Sequence, residues 1–163
     1  MADYYTHTVL HQDLPLTDIT PLEKLVLGAV FEIREHDDKL SCFAWENVND
    51  VPSLSATAAR TALARANGQA SRLNDLVAKK IEDVAADAET FDLDLSVEGY
   101  EFILQDIVRR SATLTHVSLA AAFTCSKMRP GGFGGMVTLI TPDEILSEST
   151  DGLLERWLAY AVP

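Results

Sequence analysis

Apolar residues recur at the spacing of an α-helix in several segments of the chain. Thr20, Pro21 and Glu23 open the first segment as a threonine N-cap, a first-turn proline and a glutamate that closes a capping box. The apolar positions after this cap predict a helix ending near Ile33. The other predicted helices cover residues 55–66, 70–87 and 96–110, a short segment beginning at Thr141, and a last one beginning at Ser149.

A second Thr-Pro-x-Glu sequence, Thr141 to Glu144, repeats the first one. It predicts a short helix with the same type of cap. The residues around the two copies differ, which indicates one capping solution used twice and not a duplicated domain. A helix break is predicted at Asn67 and Gly68, because this pair is a common C-terminal stop signal.

Alternating apolar and polar residues predict the strands. Residues 40–46, LSCFAWE, place Phe43 and Trp45 on one face and smaller apolar side chains on the other. The segment 116–125, HVSLAAAFTC, is almost continuously apolar or small, which predicts a central strand covered on both faces. The remaining predicted strands are residues 6–11, 91–95 and 136–141.

These elements sum to four or five strands and five or six helices, and the two types do not alternate regularly along the chain. We therefore expect an α+β fold, with a central mixed sheet of four to five strands, helices packed on it, and a C-terminal β-hairpin followed by helices. The length of 163 residues suits one globular domain over residues 1–163.

Composition and charge narrow the functional classes. The net charge of −12 opposes non-specific attraction to DNA, RNA or anionic lipid, so neither direct nucleic-acid binding nor membrane binding is expected. The N-terminal residues show no signal-peptide pattern, and the apolar runs are too short to span a membrane. The two cysteines form no disulfide framework. These features favour a cytoplasmic protein.

Acidic residues are concentrated in one segment. Residues 81–108 contain nine Asp or Glu and no Lys or Arg. The simplest interpretation is a solvated, solubilising face. The alternatives are a docking surface for a basic partner and a mimic of nucleic-acid charge.

A glycine-rich stretch, TCSKMRPGGFGGM at residues 124–136, raises the question of an anion site. Glycine backbone N–H groups can line an anion, and Lys127 and Arg129 would add positive charge. The stretch matches neither the phosphate-binding loop nor the dinucleotide fingerprint, and a strand comes after it where such sites have a helix. A hairpin connection is favoured. The alternative is ligand or partner contact through Cys125, Lys127, Arg129, Gly132, Phe133 and Gly134.

Cys125 is the candidate nucleophile, because it ends a strand beside two cations that would favour a thiolate. Nucleophilic catalysis also requires a base within hydrogen-bonding reach. His116 lies nine residues earlier on the same strand, about 30 Å away at ~3.3 Å per residue, and cannot serve. Strand alternation places Cys125 with Leu119 and Phe123, which predicts a buried thiol. No catalytic residue is assigned.

Metal and cofactor chemistry has little support in the sequence. Asp92 and Asp94 share a face of a predicted strand and could bind a hard cation, but no third ligand is near them in sequence. The histidine spacings match no zinc motif, and there is no nucleophile elbow. We expect no metal and no cofactor.

The segment FTCSKMRPGGFGGM, residues 123–136, together with LITPDEIL after it, resembles part of an uncharacterised bacterial protein family. The resemblance covers mainly residues 90–155. It implies a bacterial cytoplasmic origin, and it implies no activity, cofactor or site residue.

The sequence supports three functional hypotheses. The acidic segment and the absence of a catalytic constellation favour a non-enzymatic domain that binds a protein partner or self-associates as a homo-oligomer. The second hypothesis is a small-ligand or anion-binding protein, or an enzyme, that uses the loop from Cys125 to Gly135. The third is an acidic nucleic-acid mimic that binds a DNA-binding protein.

Overall fold

The structure is a computed structural model that describes residues 1–66 and 69–161. Strands and helices alternate irregularly along this part of the chain, and a 3-10 turn at Leu16–Asp18 precedes the first helix. In chain order the elements are β1 (Tyr4–Leu10), β2 (Leu14–Pro15), α1 (Pro21–Val30), β3 (Glu32–His36), β4 (Lys39–Ala44), β5 (Ser53–Ser55), α2 (Ala56–Ala64), α3 (Arg72–Glu82), β6 (Thr90–Asp92), α4 (Glu101–Arg110), β7 (Val117–Cys125), β8 (Gly134–Ile140), β9 (Ile145–Ser149) and α5 (Thr150–Ala161).

Seven strands form one sheet. β4 pairs with β3 along one edge and with both β1 and β2 along the other, and β7, β8 and β9 continue the sheet from β1. The ladder between β1 and β7 runs from Tyr4 opposite Cys125 to Leu10 opposite Leu119. β5 and β6 form a separate pair. The expected α+β class is confirmed, although the sheet has more strands than expected and all its pairings are antiparallel.

The hydrophobic core lies between one face of the sheet and helices α1 to α4. Strand alternation directs Leu10, Leu40, Leu119 and Ile140 into this core, where each is at most 5% exposed. The four helices supply their own apolar faces to the same cluster. α5 contributes no buried residue.

A fully buried carboxylate joins three of these helices. Glu23 Oε2 accepts a hydrogen bond from the N–H of Thr20 (2.9 Å), and Thr20 Oγ1 accepts from the N–H of Glu23 (3.2 Å), so the predicted capping box is confirmed. Glu23 Oε1 accepts from the Ser71 hydroxyl, which precedes α3 (2.7 Å). The Arg110 guanidinium, at the end of α4, pairs with Glu23 Oε2 and donates to two backbone carbonyl oxygens. Glu23 therefore fixes the relative positions of α1, α3 and α4.

The polar segment after α1 is a β-hairpin. α1 ends at Val30, so the predicted helix end near Ile33 was wrong, and Ile33 lies in β3. Asp37 and Asp38 connect β3 to β4 with φ of 46° and 59°. A two-residue connection with positive φ at both positions suits the twist of paired strands, and aspartate tolerates it better than most residues. The apolar residues at the end of α1 fit both the helical period of 3.6 residues and the strand period of two residues, which explains the error.

The second Thr-Pro-x-Glu sequence does not begin a helix. Thr141 Oγ1 accepts from the N–H of Glu144 (3.0 Å), the same bond that caps α1. The N–H of Thr141, however, donates to the Glu144 carbonyl oxygen (2.9 Å), which closes the turn between β8 and β9. The predicted short helix was wrong, and β9 was not predicted. Only five residues separate this turn from α5, and they pair with β8 instead of forming a helix.

The region before α4 also differs from expectation. α4 begins at Glu101, and Ser96 does not cap it; the Ser96 hydroxyl donates to Asp94 Oδ1 instead (2.5 Å). β6 is shorter than predicted, although Leu93 and Leu95 remain buried.

The helices predicted over 55–66, over 70–87 and from Ser149 are confirmed, as are the strands at 6–11, 40–46, 116–125 and 136–141; their bounds differ by one or two residues, except that α3 ends at Glu82. The predicted break at Asn67 and Gly68 lies outside the described residues.

Replacing Glu23 by glutamine should lower the free energy of unfolding by about 3–5 kcal/mol, because it leaves Arg110 without its counter-charge in a largely buried position. Glutamine keeps the size of the side chain and an acceptor for Thr20. The matched control is Lys24→Ala, which removes an exposed ion pair with Glu35 and should cost less than about 1 kcal/mol. Urea denaturation followed by far-ultraviolet circular dichroism measures both; equal losses would contradict the role given to Glu23.

Candidate functional site

The glycine-rich loop joins β7 to β8, as predicted, and packs against Cys125 at the end of β7. The N–H of Gly132 donates to the Arg129 carbonyl oxygen (3.1 Å), and Gly131 has a φ of 71°, which glycine adopts without strain. Gly132 is buried so tightly that a Cβ there would lie 3.0 Å from Cys125 Cβ. The Arg129 guanidinium lies over the Tyr4 ring, 5.3 Å from its centre. The loop therefore covers Cys125.

The structure brings together only part of the set predicted for ligand contact. Cys125, Arg129 and Gly132 are neighbours, and Gly134 begins β8. Lys127 and Phe133 are exposed on the loop. The set thus forms a closed turn with two outward side chains, and the described contacts converge on no shared ligand position.

Cys125 has no histidine base on the adjacent strand. His7 lies on β1, which pairs with β7, but its Nε2 is 3.3 Å from Thr124 Oγ1 and its Nδ1 contacts the carbonyl oxygen of Trp45. Because successive residues of a strand point to opposite faces, the Thr124 side is the face away from Cys125. The expected burial of Cys125 is confirmed, with 7% of the residue exposed.

The second cysteine is a core residue. Cys42 is 1% exposed, and burial of the thiol, with a smaller effect of the Asp13 carboxylate, raises the pKa of Cys42 to about 12. The thiol therefore stays protonated at any pH near neutrality.

The face of the sheet opposite the core contains an apolar groove of about 550 Å³. Small side chains from β1 and β7, Val9, Ala120 and Ala122, line it together with the large rings of Phe43 and Trp45. Val9 is 44% exposed and Trp45 is 72% exposed. In the described part of the chain, no helix covers these side chains as α1 to α4 cover the other face.

The polar side chains of this groove are basic or neutral. The Arg34 guanidinium lies 4.9 Å from the centre of the Phe43 ring, and the His7 ring lies 5.8 Å from that of Trp45. None of the ten residues that line the groove is acidic. In a chain with a net charge of −12, the lining is locally uncharged to positive, and the acid at its border is Glu32, whose Oε1 accepts from the N–H of Trp45 (3.3 Å).

α5 contacts the rest of the protein mainly through its first turn. Thr150 Oγ1 accepts from the N–H of Gly135 (3.2 Å). Leu153 lines a smaller cleft of about 280 Å³ with Ala120 and Val137 on the outward face of the sheet. One turn further, Arg156 pairs with Glu148 of β9 (2.8 Å).

The remainder of α5 exposes an apolar stripe. Leu154, Trp157 and Leu158 have the i, i+3, i+4 spacing of one helix face, and 51%, 58% and 50% of these residues are exposed. Ala161 continues the stripe at the end of the described residues. A helix of a compact domain normally turns such a stripe toward the core, so α5 has an apolar face without a covering surface in the described structure.

The acidic segment lies on the helical side, in and between α3, β6 and α4. Its first seven acids are exposed, in agreement with the predicted solvated face. The last one, Asp106, is buried, and it accepts hydrogen bonds from Arg72 at Nε (2.9 Å) and at the backbone N–H (2.8 Å). For Asp106 the interpretation as a solvated acid was wrong, because it holds α3 against α4.

A cleft of about 620 Å³ between α3 and α4 is lined by three arginines. Arg72 and Arg109 both contact Asp106, and Arg110 is paired with Glu23. These cations are thus engaged in contacts between elements of the fold. The cleft is a consequence of the helix packing, and its charged side chains already have partners within the chain.

Metal-binding clusters and membrane-spanning helices are both absent from the described residues. Over 1–66 and 69–161 no three His, Cys, Asp or Glu side chains are grouped so that they could hold a metal ion. Within the same ranges, no helix has the length and apolar character needed to cross a membrane.

No family model matches the chain, and no curated protein and no solved structure matches it significantly. The resemblance to an uncharacterised bacterial family stays a prediction. The function must therefore be inferred from the surfaces of the protein itself.

Sequence reasoning did not identify the groove. It assigned the strand at 116–125 to a position covered on both faces, whereas Ala122 is exposed and Ala120 only half-buried. The usable signal was the distribution of side-chain size: the large apolar residues of β7 alternate with small ones, and the small ones face outward.

Replacing Gly132 by alanine should raise the alkylation rate of Cys125 about tenfold, because overpacking costs roughly 1–3 kcal/mol and 1.4 kcal/mol of easier loop opening is a factor of ten. Cys42 is the internal control and should stay unreactive in both proteins at pH 8. Mass spectrometry after timed iodoacetamide labelling measures both sites. A Cys125 that already reacts in the wild type as fast as in urea would show that the loop does not cover it.

Proposed function

We propose that this chain is a non-enzymatic protein-interaction domain, and that it binds a polypeptide through the interaction face formed by the outward groove of the sheet and the apolar stripe of α5. The observation that carries the proposal is the one-sided packing. Helices α1 to α4 cover one face of the sheet, while Val9, Phe43 and Trp45 on the opposite face remain accessible.

Exposed apolar surface of this kind is costly in water. Burial contributes roughly 25 cal/mol per Å², and a contiguous exposed apolar patch on a folded protein marks an interaction site more often than a scattered residue does. Tryptophan is enriched among the residues that contribute most to protein interfaces. Both tryptophans of the chain, Trp45 and Trp157, belong to the interaction face and are more than half exposed.

The shape of the groove favours a polypeptide over a small molecule. Among the residues that line it, only His7 and Arg34 are charged or titratable, and Glu32 borders it on β3, opposite Phe43. A small-ligand site holds its ligand with convergent polar groups in a concave, enclosed pocket. A broad apolar trough with aromatic rings on one side instead resembles a groove that accepts a helix.

Two free, buried cysteines support a reducing environment, and we propose that the chain works as one domain in the cytoplasm. The acidic helical side then contributes solubility. This assignment requires no catalytic role for the loop around Cys125.

Ala122→Arg should weaken complex formation, because it places a charge on the floor of the groove at an exposed position where the fold tolerates it. A loss of at least about tenfold in affinity is expected, which corresponds to 1.4 kcal/mol. Ala86→Arg, an exposed alanine outside the interaction face, is the matched control. Size-exclusion chromatography with light scattering, together with cross-linking mass spectrometry of a native extract, measures the complexes. A wild-type protein that forms none at micromolar concentration, with itself or another protein, would refute the proposal.

A further inference from the structure

We propose that the polypeptide bound in the groove is α5 of a second copy of this chain, so that two copies exchange their C-terminal helices in a twofold dimer. This inference rests on the proposed function and names its partner. The groove and the apolar stripe are then the two halves of one site, and each is incomplete without the other copy.

The dimensions of the two halves match. The groove adjoins the smaller cleft at Ala120 and Ala121, and Leu153 of the same copy already lines that cleft, so the groove is the trough that is open to a second helix. Across it, Arg34 on β3 and Ala120 on β7 lie three strand spacings apart, about 14 Å at ~4.8 Å per spacing. A helix with its side chains is about 10–12 Å wide. The part of α5 that carries the stripe, residues 154–161, is about 12 Å long at ~1.5 Å per residue, comparable to the three residues of β1 that line the groove, about 10 Å at ~3.3 Å per residue.

The side chains are complementary in size. Small residues, Ala120 and Ala122, form the floor of the trough, and they leave room for a helix to approach the strands closely. The stripe of α5 carries large residues, Leu154, Trp157 and Leu158. Large side chains placed over a small-residue floor are the arrangement by which facing elements interdigitate.

Charge explains how two copies of an acidic protein could associate. Like charges on the copies repel, so a self-contact must use a surface that is free of acids or that pairs opposite signs. The groove is lined by Arg34 and His7 and by no acid; the acid at its border, Glu32, is engaged with the N–H of Trp45 (3.3 Å). α5 carries Asp151 and Glu155, while its Arg156 is already paired with Glu148 of the same copy. Arg34 would repel a strongly basic partner, so the charge of the groove favours the acidic residues of α5 over such a partner.

The contacts made by the first turns of α5 favour its packing on the other copy over its packing on the groove of its own copy. The Thr150–Gly135 hydrogen bond and the Arg156–Glu148 ion pair hold α5 at the β8–β9 side, with the stripe exposed. To reach its own groove, α5 would have to break these contacts. In a twofold dimer α5 keeps them and presents its stripe to the other copy, and the symmetry makes the same contact twice.

The test is a complementation experiment with two variants of the full chain. Ala122→Arg alters the groove and leaves the stripe intact; Leu158→Glu alters the stripe and leaves the groove intact. Both positions are exposed, and far-ultraviolet circular dichroism and thermal melting verify the fold of each variant. Sedimentation velocity then gives the mass of wild type, of each variant alone, and of the two variants mixed.

The exchange predicts a dimeric wild type, two monomeric variants, and a heterodimer in the mixture. In that heterodimer the intact stripe of one variant meets the intact groove of the other, so one of the two contacts is restored. Its dissociation constant should be at least about tenfold weaker than that of the wild-type dimer, since the second contact carries both lesions.

Other outcomes overturn the inference in distinguishable ways. A dimeric wild type whose variants do not complement each other would show that stripe packs on stripe or groove on groove. A monomeric wild type in which acrylamide quenches neither Trp45 nor Trp157 would show that α5 folds onto its own groove. A monomeric wild type that binds a different protein through an Ala122-sensitive contact would overturn the exchange and leave the proposed function standing. A monomeric wild type that binds no protein through the groove would refute both the exchange and the proposed function.

Discussion

The buried carboxylate of Glu23 is the interaction on which the arrangement of the helices depends. It caps α1 through Thr20, accepts from Ser71 before α3, and holds the guanidinium of Arg110 at the end of α4. A buried charge is tolerated only when it is paired and hydrogen-bonded, so the three helix ends must meet at this point. Because they meet on one side of the sheet, the opposite side receives no cover from them.

The part of this arrangement that could be predicted from sequence is the part that is local. The bond between Thr20 and Glu23 spans three residues, and the sequence alone indicates it. Thr141 and Glu144 make the same local bond, yet there it closes a hairpin. The difference lies in the residues that follow each cap. After Glu23, α1 continues with an apolar stripe that packs in the core. After Glu144, the chain pairs with the edge of β8 as a strand. A cap predicts a helix only when the chain beyond it has a face to bury.

The candidate site could not be predicted because coverage of a strand is a property of the whole chain. Alanine at positions 120 and 122 is compatible with a strand buried on both faces and with one exposed face. The choice depends on where four helices pack, and Glu23, Arg110 and Asp106 decide that through contacts distant in sequence. The amino-acid composition does not indicate whether the outward face of β7 is covered, since the same residues would be present in either arrangement.

The two uncovered surfaces are linked by the instability of α5 as an isolated helix. A helix of twelve residues is marginal in water, and most helical stability in proteins comes from packing an apolar face. Only the first turns of α5 have such packing, through Leu153 and the contacts at Gly135 and Glu148. The turns that carry Trp157 and Leu158 have no such packing in the described structure. In the proposed dimer, the outward groove with its floor of small side chains receives these turns, so one association event covers both surfaces.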